Sequence, residues 1–192
     1  MAVPGSLVRS ALPEKSQPGE LTIFIKIPSV KTLVIIRHAK SDQNGLFASD
    51  FERPLNKRGE RDAPVMAERL KKRNMRIDAF VSSPAKRALG TCKLFCDTLE
   101  ADQNKIIRAD ELYHAARETF YNVVSGTDDR FNSIALFSHN PGITDFANSL
   151  CHGLYIDNMP TCAMLAVEAN IESWHDFRTS EKKFLFFDYP KA

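Results

Sequence analysis

From Leu21 onward the chain alternates continuous apolar runs with stretches in which apolar residues recur at helical spacing. The continuous runs predict strands over 32–37, 78–82, 105–108, 133–138, 162–168 and 183–188, and the periodic stretches predict helices over 58–73, 84–99, 116–125 and 142–151. That alternation implies an α/β fold, a three-layer α/β/α sandwich around a mostly parallel central sheet. Leu21 to Ile27 offers a further edge strand, although Pro28 and the Gly- and Pro-rich residues before it work against regular pairing. Ser41 to Pro54 is polar and too long for a minimal strand-to-helix turn, so it predicts a loop over the carboxyl edge of the sheet.

With 192 residues the chain has room for one well-cored domain, expected over 31–192. Residues 1–30 read as an N-terminal extension. The first 20 contain no continuous apolar h-region and therefore no secretory signal peptide, while Arg9 and several serines leave a targeting role open. Lys and Arg total 26 against 24 acidic residues, a net charge of +2. That balance gives no general reason to expect nucleic acid or an anionic membrane as partner, so any attraction for anions must be local. No run approaches the roughly 20 apolar residues of a membrane span.

The four cysteines, Cys92, Cys96, Cys151 and Cys162, form no C-x-x-C and no Cys/His set at zinc spacing. No metal and no cofactor is expected. Cys92 and Cys96 lie four apart in a predicted helix, where they share a face and pack as small apolar residues, in keeping with a reducing cytoplasm.

Candidate chemistry sits where predicted strands end. The first strand closes on Arg37-His38. A guanidinium presents a planar fork of donors to phosphate oxygens, and a neutral imidazole beside it is a nucleophile. The second strand opens through Ser83-Pro84 into a helix, with Ser83 expected to cap it, Pro84 in its first turn and Arg87 one turn in. The strand at 133–138 hands over through His139 to another helix, whose amino terminus favours an anion. Ligands in open α/β sheets bind at the carboxyl ends of strands, so Arg37, His38, Arg87 and His139 are expected to converge.

The motifs Arg37-His38-Ala39, Ser82-Ser83-Pro84-Ala85-Lys86-Arg87-Ala88 and Ser138-His139-Asn140-Pro141-Gly142, in that order, resemble the histidine phosphatase superfamily, formerly grouped with the phosphoglycerate mutases. Arg53-Pro54-Leu55 before Arg58-Gly59, and Leu112-Tyr113-His114-Ala115, are similar to its SixA-type phosphohistidine phosphatase branch. The resemblance spans about residues 31–190 and implies a phosphoglycerate mutase-like fold. It also implies that His38 takes the phosphoryl group as a covalent phosphohistidine, which water then hydrolyses. Arg37, Arg87 and His139 would stabilise the spread charge of the transition state. One ring nitrogen of His38 must then be bare and the other held by an acceptor, expected to be a backbone carbonyl.

In the mutase branch a glutamate protonates the leaving group, and by position Glu111, with Asp110 as the alternative, is the candidate here. A P–N bond to imidazole has a better leaving group than an alkoxide and needs less help from an acid. Arg53 is a candidate substrate contact or a loop-pinning ion pair, and Asn44 a candidate substrate contact or a turn residue. Lys40, Ser41 and Lys86 read as solvated or loop-ordering, Tyr113 as a cleft residue or an anchor, and His114, His152 and His175 as surface or packing residues.

The expected substrate is a phosphorylated protein, such as a phosphorelay domain, or a small phosphorylated molecule. With little chain left to build a lid, the cleft is expected to be shallow and open to a side chain on a protein. The alternatives are a broad phosphomonoesterase and a non-enzymatic phosphate- or phosphoprotein-binding module. A mutase fits less well because the chain is short.

Overall fold

The structure, a computed structural model, describes residues 29–191. The leader and the edge strand expected over 21–27 thus lie outside the described residues. The elements run β1 (Lys31–Arg37), α1 (Lys57–Lys72), β2 (Ala79–Ser82), α2 (Lys86–Thr98), β3 (Ile107–Arg108), α3 (Arg117–Ser125), β4 (Ser133–Ser138), α4 (Gly142–Leu150), β5 (Met164–Ala169) and β6 (Lys183–Asp188). They form one six-stranded sheet in the order β3-β2-β4-β1-β5-β6. Neighbours from β3 through β1 pair in parallel, and only β5 runs against them, pairing antiparallel with both β1 and β6.

Successive strand residues point to opposite faces, and the core divides accordingly. Leu33 and Ile35 of β1, Ile134 and Leu136 of β4, and Leu165 and Val167 of β5 pack with α3 and α4 on one face. Val34 and Ile36, Ala135 and Phe137, and Met164 and Ala166 pack with α1 and α2 on the other, where Cys92 and Cys96 are fully buried as small apolar residues. This is the three-layer sandwich expected from the alternation.

Helix α1 shows why packing outweighs propensity. Asn56 caps it by accepting the Gly59 N–H at 3.0 Å, and Pro64 interrupts its hydrogen-bond ladder, a defect of ~3 kcal/mol. The buried face it supplies, with Met66 and Leu70 at its centre, returns roughly 3–6 kcal/mol. Among the described residues no helix is long and apolar enough to cross a membrane.

Two local expectations change. Ser83 does not cap α2: the N-cap is Ala85, without a side-chain cap bond, and Pro84 precedes the helix rather than opening it. The strand expected from 162 begins at Met164, because Cys162 adopts a left-handed backbone, φ 62°, that aims its N–H at the carbonyls of Arg37 and His38, at 3.1 and 3.2 Å. A tertiary bond to the end of β1 thus replaces the first strand residues.

Candidate active site

β1 and β4 are adjacent and parallel, with Arg37 in register with Ser138. Their following helices go to opposite faces, α1 to one and α4 to the other. Such a point leaves a crevice at the carboxyl ends of the two strands. The next residue of each strand is a histidine, and the rings of His38 and His139 lie 5.0 Å apart, tilted by 54°. The His38 N–H donates to the Ser138 carbonyl at 3.0 Å, continuing the ladder into the site.

His38 is 6% exposed, and its Nδ1 lies 2.7 Å from the carbonyl oxygen of Ala39. A carbonyl only accepts, so Nδ1 carries the proton and Nε2 keeps its lone pair. The Arg87 Nε–H donates to that Nε2 at 3.3 Å. Burial, opposed by the Ala39 bond and reinforced by the charges of Arg87, Arg37 and Arg53, lowers the His38 pKa to about 3. The ring is therefore neutral near pH 7.

Thr91, one helical turn beyond Arg87, ties the two motifs together. Its hydroxyl accepts the Ala39 N–H at 2.9 Å and donates to the Arg87 carbonyl at 2.7 Å. The 41–54 loop folds back over the cleft and contributes Asp50. Arg87 donates from Nη1 to the Asp50 carbonyl at 2.6 Å and from Nη2 to its carboxylate at 2.8 Å; Tyr113 donates to the same carboxylate at 3.1 Å, and Arg53 pairs with it at 3.2 Å. Burial raises the Asp50 pKa, but Arg87, Tyr113 and Arg53 together bring it below the usual value. The carboxylate is therefore a fixed anion between two arginines.

Arg37 donates from Nη1 to the side chain of Asn158 at 3.2 Å and to the carbonyl of Met159, and Asn140 reaches the same two acceptors. The Asn140 side chain is in turn held by Thr144 of α4 at 2.8 Å. The start of α4 is fitted closely to the 113–116 turn: a Cβ on Gly142 would stand 1.8 Å from the Ala115 carbonyl oxygen.

The resulting cleft, of about 260 Å³, is lined by Arg37, His38, Arg53, Arg87 and His139, with Asp50 and Lys40 among its other walls. The convergence expected from the strand ends is thus present. Arg53 makes the expected loop-pinning ion pair with Asp50 and also lines the cleft. Asn44 is exposed and outside the lining; its N–H bonds Asp42 in a turn at 2.9 Å, and Gln43 faces the cleft instead. Glu111 and Asp110 are exposed on the short 3-10 turn at 110–112 and do not line the cleft, because that turn directs Leu112 inward.

Sequence reasoning missed Asp50 and Thr91 and gave His114 a surface or packing role, whereas His114 lines the cleft from a left-handed turn, φ 54°. A signal existed for Thr91, a small hydroxyl one turn after Arg87 on the inner face of a helix. Asp50 carried none, since its partners lie 37 and 63 residues away. A larger cavity of about 980 Å³, between the end of α4 and residues 178–184, contains none of the motif residues.

Buried polar side-chain atoms are rarely left without a partner. The described residues include four such atoms, and three of them, Arg37 Nε, Arg53 Nε and His139 Nδ1, belong to side chains that line this one cleft. An α/β fold whose strand-end crevice gathers His38, His139 and three arginines defines a protein of phosphoryl chemistry. The profile of the histidine phosphatase superfamily (branch 1) matches residues 33–143, more than half of the chain, and the chain belongs to that superfamily and is an enzyme of phosphatase type.

An uncharacterized chloroplastic protein of Arabidopsis thaliana is 28% identical over 159 residues, 76% of this chain and 70% of that protein. A 2,3-bisphosphoglycerate-dependent phosphoglycerate mutase of Mesorhizobium japonicum is 31% identical over 98 residues, 50% of this chain and 46% of the mutase. The structure of the protein histidine phosphatase SixA complexed with tungstate superposes with a TM-score of 0.71 at 23% identity, covering 83% of this chain and 97% of that one. At that identity the likeness is one of fold.

Proposed function

We propose that this protein is a phosphatase of the SixA type that hydrolyses phosphohistidine, on a protein or as a small phosphoramidate, through a phosphorylated His38. The observation that carries the reading is the set of buried, unpartnered nitrogens on Arg37, Arg53 and His139 around a bare His38 Nε2. A phosphoryl oxyanion is the acceptor that such donors lack, and donors already in place lose little energy to reorganisation as charge develops.

In the first step the His38 Nε2 lone pair forms a bond to phosphorus while the substrate's P–N bond breaks, and the departing imidazole nitrogen takes a proton from solvent. In the second, water attacks phosphorus, the bond to Nε2 breaks, and the water's proton leaves with inorganic phosphate or bulk solvent, restoring neutral His38. The Ala39 carbonyl stabilises the phosphorylated ring through Nδ1–H in both steps. Arg87 must release His38 Nε2 before attack, and the incoming oxyanion is the stronger acceptor that draws it away. The arginines supply the charge without a metal step.

The small polar cleft supports a substrate that inserts a phosphoryl group and one small ring rather than a molecule enclosed for re-transfer, and so disfavours a mutase. The four cysteines are free, which supports a reducing compartment such as the cytoplasm. The test is acid-labile phosphate on the protein after mixing with a phosphoryl donor, together with turnover of a phosphohistidine domain and of small phosphoesters. Labelled wild type, silent His38→Ala and preference for the domain are expected. Preference for small esters would replace the substrate reading with a broad phosphomonoesterase, and an unlabelled wild type whose turnover survives His38→Ala would refute the covalent mechanism.

A further inference from the structure

The ring of His139 poses a separate question of proton placement. Burial, reinforced by the charge of Arg87, lowers its pKa to about 2, so the ring is neutral and carries a single N–H. Nε2 lies 2.8 Å from the hydroxyl oxygen of Ser83, and Nδ1 is buried without a partner. Which nitrogen holds the proton decides whether His139 offers a phosphoryl oxygen a donor or a lone pair.

Ser83 settles it by donor accounting. Its side chain is fully buried, and its oxygen accepts the Ala85 N–H at a long 3.5 Å. The neighbouring Ser82 hydroxyl is committed to the Ser83 carbonyl at 2.8 Å. Among the described residues, the acceptor recorded within reach of the Ser83 hydroxyl proton is His139 Nε2. If Nε2 carried the imidazole proton, the hydroxyl hydrogen and the Nδ1 lone pair would both be buried without partners, whereas with the proton on Nδ1 only that N–H lacks one.

We propose that Ser83 is a positioning residue that donates to His139 Nε2 and thereby keeps the proton of His139 on Nδ1, where it donates to the phosphoryl group beside His38. The same serine, expected from its place before Pro84 to cap α2, is thus spent on the second histidine. α2 itself begins after Ala85, whose side chain offers no cap. The two histidines end with opposite assignments in effect: His38 holds its Nδ1 proton on a carbonyl and presents a bare Nε2, while His139 hides its bare Nε2 under Ser83 and presents Nδ1–H. One ring attacks and the other donates.

The value of His139 to substrate rests on the phosphoryl-binding reading of the cleft, but its tautomer does not. The full chain, labelled with 15N-histidine, is examined at pH 7 by long-range proton–nitrogen NMR, with His139→Gln identifying the signals. Wild type is expected to show protonated Nδ1 and bare Nε2 at His139. In Ser83→Ala the two tautomers are expected to mix, with tungstate, the oxyanion probe, binding ~10-fold more weakly because only a fraction of the molecules presents a donor. Ser83→Thr, which restores the hydroxyl, is expected to recover the single tautomer and the affinity.

A proton on Nε2 in the wild type overturns the proposal, whatever becomes of the variants. So does a Ser83→Ala protein that keeps both the tautomer and the affinity. If wild type shows the expected tautomer but hydrolyses no phosphohistidine, the placement of the proton stands and the substrate reading fails.

Discussion

Replacing His38 by Asn should change how stability depends on pH, by an amount that follows from the burial of the ring. The native pKa of about 3 lies well below the ordinary value of about 6.5 for an unfolded chain. Between those values the unfolded state binds a proton that the native state refuses. Stability contributed by the neutral ring is therefore fully present above pH 6.5 and lost as pH falls toward 3. The slope approaches ~1.4 kcal/mol per pH unit, so wild type should lose about 2.5 kcal/mol between pH 7 and 4.5 from this group alone.

His38→Asn removes the titration while leaving most other groups unchanged, so the difference between the two proteins cancels the rest of the acid response. Urea unfolding of both at pH 7, 6, 5 and 4.5 measures it, with the midpoint multiplied by the common slope at each pH. The stability of wild type relative to His38→Asn should fall by about 2.5 kcal/mol across the series. A difference that stays constant with pH would show that His38 is not held neutral by burial and the three arginines.

Arg87→Lys should lower kcat by ~100-fold or more while preserving the fold, because a point charge cannot reproduce the forked contacts to His38 Nε2 and Asp50; a loss under fivefold contradicts the placement. Glu111→Gln should leave kcat within about twofold, as expected of a surface charge change, since its side chain is exposed and outside the cleft lining; a large drop in kcat at unchanged stability would return Glu111 to the mechanism. Gly142→Ala should cost about 1–3 kcal/mol in a thermal melt, because the new Cβ meets a backbone carbonyl 1.8 Å away; an unchanged Tm would show that the 113–116 turn yields freely.

The elements were largely legible because burial imposes periodicity. The run Leu33-Val34-Ile35-Ile36 is covered on both faces and reads as a strand in isolation, and α1 shows its buried stripe through Ala63, Met66, Ala67 and Leu70. Where a local preference competed with a distant partner, the distant partner won. Ser83 left the helix cap for His139, and Cys162 left the strand for the end of β1. No rule on neighbouring residues contains either choice.

By itself, then, the sequence determined the layered α/β architecture and placed Arg37, His38, Arg87 and His139 at strand ends and helix starts, because strand period, helix stripe and motif order are properties of the linear chain. The tertiary structure alone decided that the 41–54 loop sends Asp50 rather than Asn44 into the cleft, that Glu111 stays outside, and that Ala39 and Ser83 sit against the two rings. These outcomes depend on donors and acceptors brought within about 3 Å across dozens of residues, a distance at which hydrogen bonds form and about which the order of residues is silent.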